Sequence, residues 1–143
     1  MARIENHKYS IEEAFKECFY VVPDYQREYV WTDKEVQQLL DDIDDQIESG
    51  TDKEYFIGMI LVSPGARKNQ YDVIDGQQRL TTFFLLLCAL RHRFKDSPEH
   101  YELVNGLLST SFTTKSGIET SLKLEPRYEN ADELMVCLVK TND

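Results

Sequence analysis

The fold class that this sequence predicts is α+β, a small mixed or antiparallel sheet packed with helices. Two capping boxes, Ser10 with Glu13 and Thr32 with Glu35, each open a helical stretch. Short runs rich in aromatic and β-branched residues fall between the helices. Two of these runs are separated by a polar turn, as in an antiparallel hairpin. At 143 residues the chain is about one domain, large enough to bury a core without metals or disulfides.

The first capping box starts a short helix at Ser10-Ile11-Glu12-Glu13. Phe19 to Val22 then has strand character and is stopped by Pro23. Residues 24–31 have neither period, yet they are dense in Tyr, Gln, Arg and Trp. After Thr32 comes the clearest helix, with Val36, Leu39, Leu40, Ile43 and Ile47 on one stripe and Gly50 closing it. Its aspartates, Asp41, Asp42, Asp44 and Asp45, lie mostly off the stripe and form a solvated acidic face, since their spacing is not that of a calcium loop.

Tyr55 to Val62 reads as an apolar strand, in which Gly58 signals a bulge or a close backbone approach. The polar turn at 63–69 leads into a returning strand, Gln70 to Ile74. A helix from about Gln78 to Phe94 follows, burying Leu80, Phe83, Phe84, Leu87, Cys88 and Leu90. Beyond Asp96-Ser97-Pro98 the pattern predicts a helix over 99–108, a Ser/Thr-rich loop over 109–117, a strand over 119–124 and a final helix from Asp132 to about Val139. No closing element follows, so the chain is expected to be cut from a longer protein.

There are 26 acidic and 16 basic residues, a net charge of −10. That excess opposes capture of a nucleic-acid backbone, which relies on clustered Lys and Arg. A small anion is another matter, because a few donors in one pocket hold it whatever the net charge. Cys18, Cys88 and Cys137 are far apart and read as buried free thiols. The N-terminus lacks the apolar core of a signal peptide, and the longest apolar run, Phe83 to Leu90, is far short of the ~20 residues of a membrane span. A cytoplasmic location is expected.

Chemistry concentrates in two motifs. In the first, a strand runs into Asp75-Gly76-Gln77-Gln78-Arg79, followed by Thr81 and Thr82 on a buried helix. Such a turn exposes the helix's first amides at the positive end of its dipole, where phosphate settles. Gly76 admits a close backbone approach, and Arg79 can grip phosphate with a planar fork. Gln77 and Gln78 can orient a phosphate or a water, Asp75 can hold a hydrated Mg²⁺, and Thr81 can cap the turn or touch phosphate. A plain structural turn fits the same five residues. In the second motif, Tyr25-Gln26-Arg27-Glu28-Tyr29-Val30-Trp31, Gln26 and Arg27 supply further donors, while Tyr25, Tyr29 and Trp31 can stack on a base. Equally, the aromatics can plug the core and Arg27 can pair with an acid.

Tyr-Gln-Arg-x-Tyr-x-Trp, Leu39 to Ile43, Phe56-Ile57-Gly58 and Val73 to Thr82, in that order, resemble the DGQQR family. This is the N-terminal, GmrS-like domain of GmrSD-type type IV restriction enzymes and related phage-defence proteins. The resemblance covers residues 10–95 well and the remainder weakly; Glu28, where relatives often carry proline, is a small departure. It implies a ParB/sulfiredoxin-like core whose loop binds and hydrolyses a nucleoside triphosphate with Mg²⁺ or another divalent cation. By position, Asp75, Gln77, Gln78 and Arg79 would be catalytic, with Asp75 the metal ligand. Gln26, Arg27, Gly76, Arg79 and Thr81 would bind the nucleotide.

The implied division is a core over 1–96 and the start of a helical extension over 97–143. The implied partners are the nucleoside triphosphate and a C-terminal nuclease domain or partner subunit, with DNA engaged only indirectly, no membrane, and a possible homo-oligomer. No HNH pattern surrounds His7, His92 or His100, so cutting is not expected of this chain. Two alternatives stay open: a non-catalytic module that binds nucleotide or DNA phosphate, and a ParB-like nuclease.

Overall fold

The computed structural model describes residues 7–26, 29–50, 58–115 and 117–127. Their elements run α1 (Ile11–Glu17), β1 (Phe19–Val22), α2 (Asp33–Glu48), β2 (Leu61–Pro64), β3 (Gln70–Asp75), α3 (Gln77–Arg93), α4 (Pro98–Leu108), β4 (Ser109–Thr114), β5 (Gly117–Leu122) and β6 (Leu124–Pro126). The class is α+β. A four-stranded mixed sheet has the order β2-β3-β1-β6, in which β2 and β3 are antiparallel while β3, β1 and β6 are mutually parallel. β4 and β5 form a separate antiparallel hairpin.

Both capping boxes form. Ser10 Oγ accepts from the Glu13 amide at 3.1 Å, and the Thr32 amide donates to Glu35 at 2.8 Å. The hydrogen bonds from Thr32 hold the Glu35 carboxyl below its usual range. The hairpin β2–β3 also forms as the polar turn predicts, but its first strand starts at Leu61, later than expected. Gly58 to Ile60 are not strand, and Tyr55 to Ile57 lie outside the described residues. β2 is a sheet edge, which accommodates Pro64.

The core lies between the sheet and the helices. Val22, Val73 and Leu124, one from each parallel strand, are fully buried with Phe84 and Leu80 of α3, Phe15 of α1 and Leu108 of α4. The Phe15 and Phe84 rings pack 6.0 Å apart. Two inward assignments are corrected. On α3 the buried stripe runs through Leu80, Phe84, Leu87 and Arg91, so Leu90 faces out, while Arg91 is 3% exposed and donates to Asn105 of α4 at 2.8 Å. On α2 only Leu39 is buried; Leu40 and Ile47 are exposed, because the helix touches the core along a narrower line than its apolar stripe.

Past residue 96, α4 falls where expected, but the Ser/Thr-rich segment is strand β4 rather than a loop. Its residues pair one-for-one with 117–122, and a polar two-stranded ribbon suits Ser and Thr. The single strand expected over 119–124 is two strands broken at Lys123. That side chain turns inward, donating to the Lys16 carbonyl at 3.1 Å with its ammonium 4.2 Å from the Phe19 ring centroid. β6 then joins the central sheet beside β1. The helix expected from Asp132, and Cys137, lie outside the described residues.

Candidate functional site

β3 delivers Asp75 to the end of the sheet, and α3 begins two residues later. The residue between them must turn sharply: Gly76 has φ +92°, a left-handed conformation that L side chains rarely adopt. A Cβ there would also lie 3.0 Å from the Met59 carbonyl oxygen, so β3 and the approach to β2 close on each other only because the side chain is absent. Asp75 Oδ1 accepts from the Gly76 amide at 2.9 Å, and the carboxylate is otherwise exposed. The Leu80 amide donates to Gly76 O, which leaves the first amides of α3 without intrahelical acceptors. The first turn of α3 holds Gln77, Gln78 and Arg79 and no acid.

Arg79 is the unusual member. Its Nε is buried and has no hydrogen-bond partner among the described residues. The guanidinium occupies the space beside Gly58, at φ +143°, so close that a Cβ there would sit 1.8 Å from Nη1 and 2.7 Å from Cζ. A planar cation is thus held in a groove cleared by a missing side chain, with donor capacity left over.

The two motifs are one unit. Gln26 Nε2 donates to the Ile74 and Val73 carbonyls at 3.0 and 3.3 Å, and the Val30 amide donates to Gln78 Oε1 at 2.7 Å. The Thr82 hydroxyl lies 2.8 Å from both the Gln78 carbonyl and the Tyr29 hydroxyl. Four side chains therefore tie the 24–31 segment to the strand-to-helix turn. Gln26 and Gln78 fasten it, whereas Gln77 makes no side-chain hydrogen bond among the described residues. Thr81 is fully buried in α3. Arg27 lies outside the described residues. Tyr29 and Trp31 pack against the core, so of the three aromatics only Tyr25 is open to solvent.

Of the two readings of Gly58, a bulge or a close approach, the structure shows the close approach; its partner, Arg79, is not legible in the sequence, since the two are far apart along the chain. A cleft of about 370 Å³ lies to one side of the turn, lined by Val21, Pro23, Asp24, Asp72 and Arg127, and contains no residue of the turn itself. Among the described residues no three His, Cys, Asp or Glu side chains gather as a metal site, and no helix is long and apolar enough to cross a membrane.

No curated protein matches the sequence. A family model described as the GmrSD restriction endonuclease, N-terminal domain, matches residues 7–142. That match takes in the turn, both tethering glutamines and nearly all of the chain, which therefore belongs to the GmrSD restriction endonuclease N-terminal domain family.

Proposed function

We propose that this chain binds, and hydrolyses, a nucleoside triphosphate at the Asp75–Arg79 turn, and that it thereby controls the nuclease of a restriction system, carried on a C-terminal domain or partner subunit. The observation that carries the reading is Arg79. In a chain with a net charge of −10, a half-buried guanidinium without a carboxylate partner among the described residues is expensive unless an anion completes it. Beside it is the amino-terminal end of α3, where the helix dipole is positive and the first turn carries no acidic side chain.

On this reading Arg79 grips phosphate oxygens and Gln77, whose side chain makes no hydrogen bond among the described residues, orients the attacking water. Gln78 and Gln26 hold the turn in shape. The residues fit a divalent cation of modest demands: one exposed carboxylate, Asp75, would hold Mg²⁺ together with phosphate and water oxygens, the usual pattern for that ion. Bound there, it would neutralise charge on the phosphates. Arg27 remains a candidate for nucleotide contact by its position in the motif, whereas Thr81, fully buried in α3, supports the helix from within.

Calorimetric titration with each of the four ribonucleoside triphosphates and Mg²⁺, for the native chain and Arg79→Ala, tests this. Saturable binding that the substitution abolishes is expected, with an unchanged melting temperature because Arg79 makes no hydrogen bond among the described residues. Absence of binding to the native chain would sink the proposal. Binding without release of inorganic phosphate would leave the non-catalytic nucleotide module as the better description.

A further inference from the structure

Apolar side chains stand exposed on the segments that adjoin the turn. Tyr25 and Met59 are each 73% exposed, the most exposed large apolar side chains among the described residues. Val30, Leu61 and Ile74 are also exposed. Large apolar side chains left in water in one cluster mark binding surfaces far more often than scattered ones do. These five adjoin the site through named contacts. Met59 stands between Gly58, on which Arg79 lies, and Ile60, whose Cα approaches Gly76. Tyr25 precedes Gln26, which is bonded to the Ile74 carbonyl. Val30 donates to Gln78, and Leu61 is the register partner of Asp75.

The sheet order sets the sides from which the segments of Tyr25 and Met59 approach the turn. β3, which ends in it, lies between β2 and β1. The chain enters β2 from Met59 at the end where β3 finishes, because those two strands are antiparallel. It leaves β1 toward Tyr25 at that same end, because β1 and β3 are parallel. The segments that carry Tyr25 and Met59 therefore reach the Asp75-Gly76 turn from the strands on either side of β3, which lie about two strand spacings, or roughly 10 Å, apart. A flat ring sandwiched between two side chains needs about 7 Å between their faces, a gap that side chains as long as those of tyrosine and methionine can set from segments so spaced.

We propose that Tyr25 and Met59 are jaws that close on the two faces of the nucleobase, while Arg79 holds the phosphates. This rests on the nucleotide reading above and adds the base subsite. Exposed apolar groups on the segments beside a cation whose buried Nε has no partner among the described residues match a ligand with an anionic tail and a flat, weakly hydrated ring. Inorganic phosphate has no such ring. Because jaws touch the faces of the base and not its edges, they accept all four bases and favour the larger purine ring.

The test compares inorganic triphosphate with ATP and UTP, each with Mg²⁺, on the native protein, Tyr25→Ala and Met59→Ala. Both side chains are mostly in solvent, so the variants should melt as the native protein does. The native protein is expected to bind ATP and UTP at least tenfold more tightly than triphosphate. Each substitution should weaken the nucleotides by about tenfold, the scale of one lost stacking contact, and leave triphosphate unchanged. Equal affinity of the native protein for triphosphate and nucleotide would refute the jaws while the anion site at Arg79 stands. Nucleotide affinity unaltered in both variants would refute them too. Binding of neither ligand would overturn both proposals together.

Discussion

Replacing Gly58 with alanine probes the site with one methyl group. The new Cβ would lie 1.8 Å from Arg79 Nη1 and 2.7 Å from Cζ. Carbon and nitrogen atoms in ordinary contact stay about 3.5 Å apart, so the guanidinium must retreat by roughly 1.5 Å. The obstructing atoms are the end of a flexible side chain, so the packing of the domain is spared. The fold does bear a backbone cost, because φ +143° suits glycine; alanine there adds strain of about 1–3 kcal/mol. A domain stable by about 5–15 kcal/mol survives that. Function should not, since a misplacement of about 1 Å in a positioning group lowers turnover on the order of 10²-fold. The assay is nucleotide titration and phosphate release, beside Gly117→Ala as control. Gly117 has φ +124° and no atom within 4 Å of its would-be Cβ, so it carries comparable strain without displacing anything. Native affinity and turnover in Gly58→Ala, or an equal loss in Gly117→Ala, would refute the role given to the Arg79–Gly58 contact.

Three further outcomes are expected. Phe84→Ala empties a fully buried site against Phe15 and should destabilise the domain by about 3–5 kcal/mol in urea unfolding. Gly106→Ala, within α4 and with open space at its Cβ, should stabilise by about 0.5–1 kcal/mol and raise the melting temperature. Burial, with Cys18 nearby, pushes the Tyr20 phenol well above its usual value of 10.0. A folded-state value above the unfolded one contributes stability that is whole below pH 10 and declines as pH rises beyond it. Unfolding curves from pH 8 to 11 should show that decline, and Tyr20→Phe should flatten it while losing the 2.9 Å bond to the Ala14 carbonyl.

The parts of the fold that were legible are those written in local chemistry. Both capping boxes, the hairpin turn, Gly50 after α2 and the strand that Pro23 ends depend on neighbours a few residues away. What escaped depends on partners far off in sequence. Leu90 faces out and Arg91 is buried in its stead because α4 supplies Asn105, and the strand at 119–124 breaks because Lys123 finds the Lys16 carbonyl and the Phe19 ring. In the site, the five-residue turn announced itself through Gly76 and the strand-to-helix change. That Gln26 and Gln78 lock the two motifs together, and that Gly58 is the bed of Arg79, follows only from tertiary contact.

The sheet order also governs the timing of assembly. Every residue of the turn and its tethers has been made once synthesis reaches Thr82, yet β1 keeps one side open until β6 arrives more than forty residues later. At about 5–20 residues per second the ribosome leaves that edge bare for several seconds. The Tyr20 amide awaits the Lys123 carbonyl, and the Arg127 amide must reach back to Val22, closures across roughly a hundred residues that slow folding. An unpaired edge strand invites another chain to add to it. A chain ended near residue 96 would retain all the chemistry of the turn and lack Leu124, which β6 adds to the core beside that edge. The three residues of β6 thus move the sheet's edge from β1 to a shorter strand, one that ends in Pro126 and so offers no amide there to an added chain.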